Sequence, residues 1–104
     1  MAVHEPEPLF DAAFAGTVIE WRGPAPFLFV PVPAAHVDEL RLAARLASYG
    51  WGVVPVKAEV EGVHFTTSLF PRGGGYLLPV KVAVQRAAGV EIGTLVTVRI
   101  TVQG

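Results

Sequence analysis

The sequence predicts a single small domain that is mainly β, and three observations predict it. Its 104 residues suit one hydrophobic core. Residues 53–70 hold two stretches of alternating apolar and polar residues on either side of Glu61-Gly62, the pattern of a hairpin closed by a two-residue turn whose Gly accepts a positive φ. Thr94 to Val102 sets Val96, Val98, Ile100 and Val102 against Thr97, Arg99 and Thr101, the alternation of a half-buried strand.

Taken in order, Met1 to Ala12 carries His-Glu-Pro-Glu-Pro and then a lone Leu9-Phe10, so it reads as an extended or disordered lead-in with no part in the fold. The domain then occupies residues 13–104. Phe14 to Trp21 is dense in Phe, Val, Ile, Thr and Trp and ends at Arg22-Gly23-Pro24, which predicts one unbroken strand. Phe27 to Val32 shows no polar alternation, as expected of a strand covered on both faces.

Pro33 suits a first helical position, and good helix formers run from Ala34 to a stop at Gly50, so one long helix is predicted over 34–49. At 100° per residue, Val37, Leu40, Ala44 and Ala47 share one stripe and Asp38, Arg41 and Arg45 form a polar wedge. Leu42, Leu46 and Tyr49 form a second apolar flank. Either the sheet and the lead-in cover that flank or it meets another subunit.

The hairpin register places Val60 opposite Val63, Ala58 opposite Phe65, Val56 opposite Thr67 and Val54 opposite Leu69, all facing the core. Gly73-Gly74-Gly75 reads as a flexible break before a short strand, Tyr76 to Leu78. Pro79 then suits the opening of a second helix over 80–88, with Gly89 as its left-handed cap.

Composition restricts function more than it assigns it. The chain is 52% hydrophobic and 16% charged, against roughly 25% charged in ordinary domains, so some apolar surface is expected to meet a partner. A net charge of −1 with no basic run gives no footprint for nucleic acid or an anionic membrane. The absence of cysteine excludes disulfides, thiolate nucleophiles and cysteine-ligated metals. The first residues fit neither a secretory signal nor a transit peptide, and no apolar stretch approaches a membrane span, so the default location is cytoplasmic.

Few side chains converge on chemistry. His4 lies in the lead-in and His36 in the first turn of the long helix, where a cation opposes the dipole. The register sets His64 opposite Glu59 on the face away from the core. On a hairpin surface such a pair is usually an ordinary cross-strand contact. No third ligand accompanies it, so no metal site, cofactor or catalytic residue is assigned. The densest constellation runs from Ser68 through Arg72, Gly73, Gly74 and Gly75 to Lys81. Glycine backbone N–H groups and two cations in that stretch are candidates for holding a small anion, although the spacing is not that of a phosphate loop. Trp21, Trp51, Tyr49 and Tyr76 lack the interleaved basic residues of a single-strand binder, which favours packing in the core or an interface.

Several segments together resemble the bacterial and archaeal family called domain of unknown function 1905. They are Phe14-Ala15, Phe29-Val30-Pro31-Val32-Pro33, Gly50-Trp51-Gly52-Val53 through Val56-Lys57-Ala58, Phe65-Thr66-Thr67-Ser68-Leu69-Phe70-Pro71 and Tyr76-Leu77-Leu78-Pro79-Val80-Lys81. The sequence departs from that pattern at Phe65, where Trp is common, at Gln85, where Arg is common, and at Thr94, where Asp is usual. The Gln85 departure removes a cation from any anion site around Lys81. The resemblance implies a small closed β-barrel of the double-split type with no assigned activity. A fainter likeness, from Leu78-Pro79 through Gly89 and Gly93 to the last strand, is to the half-barrel of AbrB-type and MazE-type DNA-binding dimers.

These readings converge on a non-enzymatic binding module that acts through a protein partner, through self-association as a homodimer using Leu42, Leu46 and Tyr49, or through a small anionic ligand at Ser68 to Lys81. The alternatives are a DNA-binding regulator, by analogy with the AbrB-type barrels, and an enzyme built on Glu59 and His64.

Overall fold

The hairpin forms in the expected register. Strands β4 (Val54–Val60) and β5 (Val63–Arg72) pair antiparallel with Val54 opposite Leu69, Ala58 opposite Phe65 and Glu59 opposite His64. Their turn has positive φ at both Glu61 (47°) and Gly62 (82°), the geometry whose twist matches a two-residue hairpin. The structure is a computed structural model and describes residues 7–21, 27–47 and 53–103.

The remaining elements are strands β1 (Phe10–Thr17), β2 (Ile19–Trp21), β3 (Phe27–Pro31), β6 (Gly75–Val80) and β7 (Leu95–Val102), and helices α1 (Ala34–Ala47) and α2 (Val82–Ala88). All ladders are antiparallel, in the order β1-β7-β4-β5-β6-β3-β2. The expected inward residues Val96, Val98, Ile100 and Val102 are buried, as are Val54, Val56, Ala58 and Val60. Leu40, Ala43 and Ala44 of α1 complete this core from one side.

Four expectations are corrected. The lead-in contributes to the fold from Phe10 onward, because β1 begins there and the Phe10 ring is buried beside His36. The strand expected over 14–21 is broken at Val18, whose N–H donates to the Thr94 carbonyl while its own carbonyl accepts from Gly93. The glycine triplet is a tight turn: Gly73 and Gly74 have φ of 58° and 79°, and Gly75 already pairs with Arg72. Pro79 lies inside β6 opposite Phe29, so the second helix starts later, at Val82 after Lys81. Gly89 does cap it, with φ 68° and ψ 35°.

The closed barrel is also corrected, to an open half-barrel. The break at Val18 is the reason: β1 pairs only with β7 and β2 only with β3, and among the described residues no ladder joins the two ends of the sheet. β1 and β3 nevertheless come close at Gly16, where a Cβ would lie 2.5 Å from Val30 Cγ1.

Burial of α1 follows its first stripe. On its second flank the described residues Leu42 and Leu46 are 62% and 72% exposed. Tyr49, Trp51 and His4 lie outside the described residues. No helix is long and apolar enough to cross a membrane among the described residues.

Candidate functional site

The convex side of the sheet is divided by chemistry. Over β1, β7 and β4 it is polar: Arg99 donates to both carboxylate oxygens of Asp11 at 3.0 and 2.7 Å, and the Thr101 hydroxyl donates to Asp11 at 3.1 Å. The Arg99 guanidinium holds the Asp11 carboxyl below its ordinary range, and Asp11 in turn raises Arg99. The predicted pair is here as well, with His64 Nε2 2.8 Å from Glu59 Oε1. Its histidine side chain is mostly in water, so it lacks the enclosure that tunes a general base. Among the described residues no three metal-ligating side chains converge.

Over β2, β3, β6 and the end of β5 the same side is apolar. Strand pairing aligns Trp21 with Phe27, Phe29 with Pro79, and Leu77 with Phe70. Since successive side chains alternate between faces, these residues share the outer surface. They line a groove of about 580 Å³ completed by Pro71 and Arg72, within the usual range for small-ligand sites. Phe29 sits between Phe27 and Phe70, with ring centroids 6.4 and 5.6 Å away. Trp21, Phe27 and Phe70 remain 38%, 57% and 42% exposed.

Among the described residues, Arg72 gives the groove its one lining charge. Its guanidinium carbon lies 3.4 Å from the Trp21 ring centroid, a stacking worth about 0.5–1 kcal/mol at an exposed site. That contact implies a curved sheet. Arg72 is level with Gly75, and Trp21 is level with Phe27, one position beyond the Leu28–Val80 pair. Six residues of β6 would separate the two levels by about 20 Å in a flat sheet. Twist and curvature of the sheet therefore bring Arg72, at the end of β5, onto Trp21 of β2, where it lines the groove.

The structure does not bring the predicted anion site together. Ser68 lies opposite Pro55, on the β4 side of β5. Gly73 and Gly74 sit at the hairpin tip, where the Gly74 carbonyl accepts from Arg41 at 2.8 Å. Lys81 is at the other end of β6 from Gly75, its ammonium bound to the Thr66 carbonyl at 3.0 Å. Only Arg72 of that set joins the groove. The sequence reading missed Phe27, Phe29, Phe70, Leu77 and Pro79 because it took Phe27 to Val32 as covered on both faces. The signal was there in Phe27 and Phe29, two residues apart on one face.

The model of a family described as Domain of unknown function (DUF1905) matches residues 14–100. The chain belongs to the DUF1905 family. The matched span runs from within β1 to near the end of β7 and contains every described residue lining the groove. No curated protein matches the chain. The DUF1905 match carries the family and assigns no activity, and it lends nothing to the likeness with AbrB-type and MazE-type barrels.

Proposed function

We propose that this DUF1905 domain is a non-catalytic binding module whose aromatic groove takes an apolar ligand carrying a negative charge. The observation that carries the reading is the pairing of an uncovered aromatic floor with one cation, Arg72, that has no carboxylate partner among the described residues. An apolar body removes the exposed rings from water, and a carboxylate or sulfonate placed at the guanidinium forms a charge-assisted bond. The DNA reading has no comparable support: Arg72 lies on Trp21 and Lys81 on the Thr66 carbonyl, so the two cations are not displayed together.

The test is titration with anilinonaphthalene sulfonate, an aromatic anion that brightens in apolar sites. One saturable site per chain is expected in the native protein, weakened about tenfold in Arg72→Gln, the loss of one charge-assisted contact, and lost in Phe27→Ser. Equal binding by native protein and Phe27→Ser overturns the reading. A second reading, a homodimer through the outer flank of α1, rests on the exposure of Leu42 and Leu46. It requires Leu46→Asp to lower the mass measured by light scattering.

A further inference from the structure

The size and donor chemistry of the groove narrow what fills it. Aromatic side chains present roughly 150–250 Å² each, so the exposed fractions of Trp21, Phe27 and Phe70 leave about 300 Å² of ring surface. A stable interface between folded faces needs about 800 Å² from each partner. The groove is therefore matched to a short segment or a small molecule and not to the face of another subunit.

Among the described residues, the side-chain heteroatoms lining it are all donors, the Arg72 guanidinium and the Trp21 indole N–H. A peptide N–H laid against these rings finds no side-chain acceptor among the described lining residues. Proline has no N–H to satisfy, and a proline-rich segment enters already extended as polyproline II, the form that aromatic-lined grooves accept. A carboxylate on the same segment answers Arg72. Phe70, Phe29 and Phe27 form a row at successive spacings of 5.6 and 6.4 Å, and four residues of polyproline II span about 12 Å.

This chain contains such a segment, Glu5-Pro6-Glu7-Pro8. Its described part, Glu7 and Pro8, is exposed and takes no part in the groove lining, and the Leu9 N–H that follows is bonded to the Val102 carbonyl at 2.8 Å, at the start of β1. We infer that the occupant is residues 5–8 of a second copy of this chain, so that the domain associates by placing the acidic proline segment of one protomer in the aromatic groove of the next. The inference rests on the proposed function of the groove and adds the identity of its ligand. A contact of this kind joins two different surfaces, and its tail and groove halves can be broken separately.

The experiment uses the full chain in analytical ultracentrifugation. The native protein is expected to gain mass with concentration, less so at high salt because the Arg72 contact is ionic. Glu5→Lys with Glu7→Lys breaks the tail, and Arg72→Gln with Phe27→Ser breaks the groove. Each double variant is expected to associate at least about tenfold more weakly, the loss of a charge-assisted contact. An equimolar mixture regains a two-chain complex, because one partner supplies a sound groove and the other a sound tail. Matching circular dichroism melts show that the variants are folded.

A native protein that stays monomeric throughout, or a mixture that does not form the complex, overturns the inference. Dye binding separates this failure from the failure of the proposed function. If the tail variant binds anilinonaphthalene sulfonate and the groove variant does not, the groove remains a binding site with a different ligand. If the dye does not distinguish them, both readings fall.

Discussion

Gly16→Ala tests how the two ends of the open sheet meet. Gly16 lies in β1 opposite Val96, and a Cβ there would lie 2.5 Å from Val30 Cγ1 and 3.5 Å from the Pro31 carbonyl oxygen. Val30 cannot yield easily: it is 0% exposed, and its branched side chain is stiff at χ1. Forcing a methyl group into a packed core costs typically 1–3 kcal/mol. Replacing Gly by Ala in a strand returns roughly 0.5–1 kcal/mol of backbone entropy. The expected net loss is about 1–2 kcal/mol, or roughly 5–15 °C in Tm for a domain of this size. Urea unfolding of a double-mutant cycle isolates the contact. Val30→Ala alone removes buried methyl groups and costs about 2–3 kcal/mol, and adding Gly16→Ala should recover at least about 1 kcal/mol of that, because the new methyl enters the space vacated. Full stability in Gly16→Ala, or strict additivity in the double variant, would show that β1 and β3 are not packed against each other here.

Three further outcomes follow from single sites. Gly74→Ala should cost about 1–2 kcal/mol, because residue 74 has φ of 79° with nothing near its Cβ; urea midpoints would show it, and the penalty is conformational, so Gly74→Asn should lose less. Asp11→Asn should flatten the acid limb of stability, since Arg99 depresses the folded pKa of Asp11. The stabilisation is present above the ordinary carboxylate pKa and is lost as pH falls through the folded value, and urea melts across that range measure the slope; because the pair is exposed, the effect is small and salt-sensitive. Leu46→Asp should change unfolding stability by no more than about 0.5 kcal/mol, since that side chain is mostly in water, and an unfolded variant would mean that α1 packs through its second flank.

Where side chains alternate about a turn, the fold was legible in the sequence. The Glu61-Gly62 hairpin is specified twice, by its turn residues and by the faces of Val54 to Leu69, and a slip of one residue would have put Val56 and Ala58 in water. The Glu59–His64 contact followed from that register. Legibility failed where a local cue competed with a distant partner. Pro79 has the chemistry of a helix start, yet β3 extends the ladder through Phe29 and Leu28 and holds Pro79 and Val80 in the strand. Phe10 looked isolated because the residue it pairs with, Val102, is 92 positions away. The glycine triplet reads as a loop in isolation and becomes a turn because Arg72 and Gly75 are already paired.

The groove failed for a different reason. An apolar run such as Phe27 to Val32 fixes that both faces of a strand are apolar, and it does not fix what covers each of them. The inner residue Val30 is covered by the core. Beside the outer residues Phe27 and Phe29 the described residues place Trp21, Phe70, Arg72, Leu77 and Pro79, and these come from β2, β5 and β6, with α1 and β4 lying between β2 and β5 in the chain. A small domain with few charged residues has little reason to leave three aromatic rings in water unless something else removes them from it. The low charge content and the uncovered groove are thus one property seen at two levels.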